Sequence, residues 1–121
     1  MSMVLVGLAF AAGCEQAPKP PQSPEQLNGR LEAAGKIANS ADKSDALKVV
    51  AVDAADSGVV EVVIKAIDGI PNISTKDDTA ETCALKLMKR GDTKAATTVA
   101  EKITNQATKN AVLGKIAKDR R

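Results

Sequence analysis

The chain contains no histidine, no tryptophan and no tyrosine, and a single phenylalanine. Without histidine it lacks the commonest general base and metal ligand. Without aromatic faces it has no platform on which bases can stack, which argues against single-stranded nucleic-acid binding. Charge of one sign is also missing: the net charge of +2 is too small for an electrostatic footprint on a phosphate backbone. Long apolar runs are absent too. Val4 to Ala12 is unbroken but far short of the roughly 20 residues a spanning helix needs. This inventory implies no cofactor, no metal and no enzyme chemistry.

What is present is a chain of 121 residues, enough for one domain, with 44% hydrophobic residues to build a core and 26% charged residues to solvate it. Its organising feature is self-similarity. Residues return at intervals of 33: Ile37, Ile70 and Ile103; Asn39, Asn72 and Asn105; Lys43, Lys76 and Lys109; Ala51, Ala84 and Ala117; Gly58 and Gly91. Several columns hold one phase, which chance matching in an Ala- and Lys-rich chain does not explain.

Each half of the repeat has helical periodicity. Leu47, Val50, Ala51 and Ala54 form one stripe, Ala80, Cys83, Ala84 and Leu87 the next, and Leu113, Ile116 and Ala117 a third. Second helices carry Val62, Val63, Ala66, Ile67 and Ile70, then Ala95, Ala96, Val99, Ala100 and Ile103. Gly58 and Gly91 stand where the first helices must stop, able to take φ > 0, and Asp92 can cap the helix after it. Neither helix buries its stripe alone, whereas stacked pairs do. The expectation is an all-α chain of six helices at about 25–38, 44–57, 60–70, 77–90, 93–106 and 109–119, stacked antiparallel with no strand.

The spacing Ala80, Cys83, Ala84, Leu87, the turn Gly91-Asp92 and the small residue Ala96 resemble the tetratricopeptide-type helical repeat over roughly 44–118. The period is 33 against about 34 in that family, and its aromatics and closing proline are missing. The resemblance implies a short solenoid whose first helices line a concave groove for a protein or peptide partner. Residues expected to face it are Asp45, Lys48, Val52, Ala55, Asp78, Glu81, Leu85, Met88 and Lys89. Val52, Leu85 and Met88 are apolar yet off the core stripe, so they either contact a partner or pack on a neighbouring helix or in a dimer.

Phe10-Ala11-Ala12-Gly13-Cys14 resembles the lipobox of bacterial lipoproteins, although no Lys or Arg precedes the apolar run and Ala11 stands where Leu is typical. The resemblance implies a signal peptide over 1–13, cleavage before Cys14, diacylglycerol on its sulfur, and membrane anchoring in the bacterial cell envelope, facing the periplasm or exterior. Residues 14–24 would be the tether, since Glu15 to Pro24 holds four of the five prolines. At about 3.1 Å per residue it would hold a domain over 25–121 on the order of 30 Å from the membrane. Ser23 and Pro24 form a helix start, with Leu27, Leu31, Ala34 and Ile37 as the stripe behind it.

Other candidates have two readings each. Cys83 is a core residue or, with a base nearby, a nucleophile. The asparagine column relieves helix ends in the αL region or forms a ladder reading a peptide backbone. Asp77-Asp78 and Asp53/Asp56 are solvated charges, the first pair complementing a helix dipole, or a cation site. The basic stretch from Lys109 to Arg121 is a polar capping helix or a contact for lipid phosphates. The functional expectation is a non-catalytic, lipid-anchored adaptor or assembly protein. The alternative is a small structural lipoprotein that self-associates through its open ends and has no specific ligand. The sequence leaves the oligomeric state open.

Overall fold

Apolar residues three and four apart, with a capping side chain at the start of every helix but the third, produce six α-helices in the computed structural model, which describes residues 21–120. They are α1 (Pro24–Gly35), α2 (Ser40–Ser57), α3 (Val60–Gly69), α4 (Ile73–Lys89), α5 (Thr93–Ala100) and α6 (Gln106–Ala117). No strand occurs among the described residues. The chain is all-α.

Capping explains most of the boundaries. Ser23 and Gln26 form a reciprocal capping box with Pro24 at the first helical position. Asn39, Asn72 and Asn105 are N-caps, their side chains accepting from the amides of Asp42 (3.0 Å), Thr75 (2.9 Å) and Thr108 (2.9 Å). This corrects the expected role. All three asparagines are extended, with φ of −74°, −83° and −72°, and they begin helices instead of ending them in the αL region. Three helices therefore start earlier than their stripes imply, at Ser40, Ile73 and Gln106 in place of 44, 77 and 109. Conversely α5 ends at Ala100 and not near 106, because the amides of Thr104 and Asn105 bond the Asp77 carboxylate in place of helix carbonyls.

The glycine stops are as expected. Gly58 and Gly91 are the residues at positive φ among those described, 75° and 89°. The residue after each reaches back to close the last turn, Val59 N–H to Ala54 O at 2.9 Å and Asp92 N–H to Leu87 O at 3.0 Å. Asp92 then caps α5 through the Ala95 amide at 3.1 Å.

α2 packs against α1, α3 and α4, and α4 against α2, α3, α5 and α6, while α3 also touches α1 and α5. Between them lies one core. Ala51, Ala54, Ala66, Ala80, Ala84, Ala96 and Ala100 are wholly buried beside Leu47, Ile67, Leu87 and Val99. These small side chains allow close helix approach. The expected second-helix stripes are buried in full. In α6, however, Leu113 is only half-buried and Ala117 is exposed, while Val112 joins Ile116 inside. Among the described helices it is chiefly α4 and α5 that cover α6, so its buried face is narrower than that of α2 or α4.

Ties between helices are polar and specific. Ser44, expected in a turn, lies inside α2, where its buried Oγ accepts the Asn72 amide at 3.2 Å. Arg90 lies over Gly58 and donates to the Asp56 carbonyl at 2.8 Å. A methyl group at Gly58 would meet that guanidinium at 2.7 Å and demand a disfavoured φ. By contrast a methyl at Gly29 meets nothing within 4 Å. Gly58→Ala should therefore lower stability by about 1–2 kcal/mol, and Gly29→Ala should raise it by about 0.5–1 kcal/mol. Urea unfolding of both variants checks the opposite signs.

Candidate functional site

Among the described residues an open groove of about 450 Å³ lies between α1 and α2. α1 contributes Arg30, Ala33 and Ala34, the turn after it Ile37, and α2 Ala46, Val49 and Val50. The lining is nearly all apolar. Val49 is 50% exposed, one of two large hydrophobic residues left so open among the described residues. Arg30 brings no unpaired charge to the groove. Its guanidinium meets Asp53 at 2.9 Å and donates to the Gln22 side chain at 2.7 Å, leaving the aliphatic stem to line the wall. Gln22 is held in turn by its amide donating to Ser57 Oγ at 3.0 Å. An apolar trough with its one cation already neutralised suits the apolar face of a helix better than a charged small molecule.

The residues expected to line a groove lie elsewhere. Asp45, Lys48 and Val52 are on α2, and Asp78, Glu81, Leu85, Met88 and Lys89 on α4. None of them lines the α1/α2 trough. Val52, Leu85 and Met88 are half-buried and pack at the edge of the core, whereas Asp45, Lys48, Asp78 and Lys89 are exposed. Ala55 is wholly buried and faces no groove, because it lies on the side of α2 that meets the core. Sequence reasoning did not single out Ala33, Ala46 or Val49. Their signal was that Val49, like Val52, is apolar yet off the Leu47–Ala54 stripe of α2.

Several acidic residues tie one segment of the chain to another. Asp56 pairs with Lys86 at 2.8 Å, and Asp68 with Lys102 at 2.9 Å. Asp77 lies in the second turn of α4, too far along to complement the helix dipole as expected. It accepts from the Thr104 amide (2.8 Å), the Thr104 hydroxyl (2.7 Å) and the Asn105 amide (3.1 Å). Burial opposes its charge, but these donors outweigh it, and the carboxyl titrates below its ordinary value. Among the described residues no group of three or more His, Cys, Asp or Glu side chains is placed to hold a metal ion.

A group with a depressed folded value stabilises most above the unfolded carboxylate range and less as pH falls through that folded value. Asp77→Ala should thus cost about 1–2 kcal/mol at neutral pH. The gap to the parent should close as pH drops below about 4, read from urea midpoints across a pH series.

Cys83 is wholly buried in α4. Burial pushes its thiol up to about 12, with Asp56 adding to the effect and Lys86 opposing it. That is the reverse of an activated nucleophile. Alkylation mapped to Cys83 should be slow in the folded chain at pH 8 and rapid in urea. Fast labelling without denaturant would restore the nucleophile reading.

Cys14 and the tether as far as Pro20 lie outside the described residues. No helix among the described residues is long and apolar enough to cross a membrane. Comparison with protein-family models, with curated proteins and with solved structures gives no match.

Proposed function

We propose that the chain is a non-catalytic interaction protein of the bacterial cell envelope, anchored through lipid on Cys14. In this reading the helices are 33-residue, two-helix layers of a short tetratricopeptide-like solenoid. The α1/α2 trough receives a helix from another polypeptide. The observation that carries the binding role is the apolar lining of the trough with Val49 half-exposed in it. Recurrence of the asparagine cap at residues 39, 72 and 105, each opening a first helix, supports the stacked layers. The context of Cys14 supports the anchor. A second surface stays in view on α2 and α4, where Val52, Leu85 and Met88 are half-buried among charges such as Asp78 and Lys89.

One experiment in the native cells addresses these parts together. A photo-crosslinking amino acid is placed at Val49 in one variant and at Leu85 in another, in chains with and without Cys14→Ser. Illumination should yield a polypeptide adduct from position 49, and fractionation should find the Cys14→Ser chain released from membranes. An adduct from 85 alone would move the site to the α2/α4 face. No polypeptide adduct from either position rejects the binding role, and unchanged membrane association rejects the anchor.

A further inference from the structure

The α1/α2 trough has a counterpart within the chain, and that counterpart is filled. Adding 33 to the lining residues of α1 and the turn after it gives Val63, Ala66, Ile67 and Ile70, all buried. Adding it to those of α2 gives Thr79 and Cys83, also buried, and the half-buried Thr82. α2 packs against the two helices carrying these residues, α3 and α4. Leu47 of α2 lies within 3.2 Å of a methyl built on Gly69, at the end of α3. In this register the trough is the seat of a first helix. The stretch the register would assign to it is 7–24, where Pro18, Pro20 and Pro21 lack the N–H groups that a helix interior needs.

At the opposite end, α6 is a first helix by its Asn105 cap, and no described helix covers its outer side. Leu113 corresponds to Leu47 and Ala80, and Ala117 to Ala51 and Ala84, yet only the interior members are buried. One end of the described array is thus a second helix missing its first, and the other a first helix missing its second.

The hydrogen bonds match as well. Ser44 accepts the Asn72 amide, and Asp77, which is 33 residues on, accepts the Asn105 amide. The next member of the acceptor column is Asn110, exposed, whose carbonyl oxygen takes one bond from Gln106 at 3.0 Å and has a second lone pair. The remaining member of the donor column is the Asn39 amide, which has no acceptor among the described residues. An acceptor with a lone pair to spare at one end, and at the other a donor with no acceptor among the described residues, stand at equivalent places in the register.

We propose that α6 of one copy seats in the α1/α2 trough of the next, with Asn110 accepting from the next copy's Asn39 amide. This rests on the stacked-layer reading and names the trough's occupant as a second copy of this chain. The contact is heterologous, so it propagates head to tail until a ring closes or a filament grows.

Ala33 and Ala117 are exposed, so Ala33→Arg and Ala117→Arg each block one end without disturbing the core. The full-length protein is studied by sedimentation equilibrium in density-matched detergent. The parent's mass should climb with concentration past two chains, and each variant alone should stay at one chain. An equimolar mixture should settle at two chains, because the free α6 of Ala33→Arg enters the free trough of Ala117→Arg. Lys36→Cys with Leu113→Cys, at the positions equivalent to Gly69 and Leu47, should oxidise to a ladder of linked chains, and each single variant should stop at dimers. A monomeric parent, a mixture no heavier than its components, or the absence of the ladder overturns the proposal. An adduct from Val49 to a different protein would overturn it too while leaving the binding role intact, whereas no polypeptide adduct would remove both.

Discussion

Short alanine-rich helices carry too narrow an apolar stripe to hide from water alone, and the rest of the structure depends on how they cover one another. α2 and α4 succeed because helices flank them on several sides. Ala51, Ala54 and Ala55 of α2 and Ala80 and Ala84 of α4 are wholly buried and bring neighbouring backbones close, so the core needs no aromatic filler. Where flanking helices are missing apolar residues stay open, Val49 beside the stripe of α2 and Ala117 on that of α6. Stability and the candidate binding surface thus have one origin, the presence or absence of a covering helix.

Apolar packing of this kind has little directional preference, so register has to come from elsewhere. Polar ties supply it. Ser44 and Asp77 hold the cap residues of the helices packed against their own, and Arg90 lies across the glycine turn at Gly58. Each bond is modest in net energy, but sliding one helix by a residue would break it and leave donors unpaired. Asp53, Asp56 and Asp77 in the same way tie their helices to neighbouring segments of the chain.

Much of this was legible before any coordinates. The stripes from Leu47 to Ala54 and from Ala80 to Leu87 are buried as read, and so are both second-helix stripes. Gly58, Gly91 and the Ser23 start also hold. The asparagines were misread for a physical reason. Asn is compatible both with αL at a helix end and with an extended N-cap, and only the direction of the following chain decides between them. Asp77 was read by its nearness to a helix start that lies further back, at Ile73. Ala55 looked off-stripe because a helix covered on several sides buries a wider arc than a single stripe.

Local chemistry was therefore sufficient for the helical class, the glycine turns and the identity of most core residues, because helix periodicity and capping act within a few residues of the chain. The 33-residue recurrence was visible there as a pattern. Tertiary structure alone decided which stripes are covered, which polar side chains reach the neighbouring helix, and that an apolar trough opens between α1 and α2. Those outcomes depend on how many helices flank a given face, a property of packing across residues far apart in sequence that no single window contains.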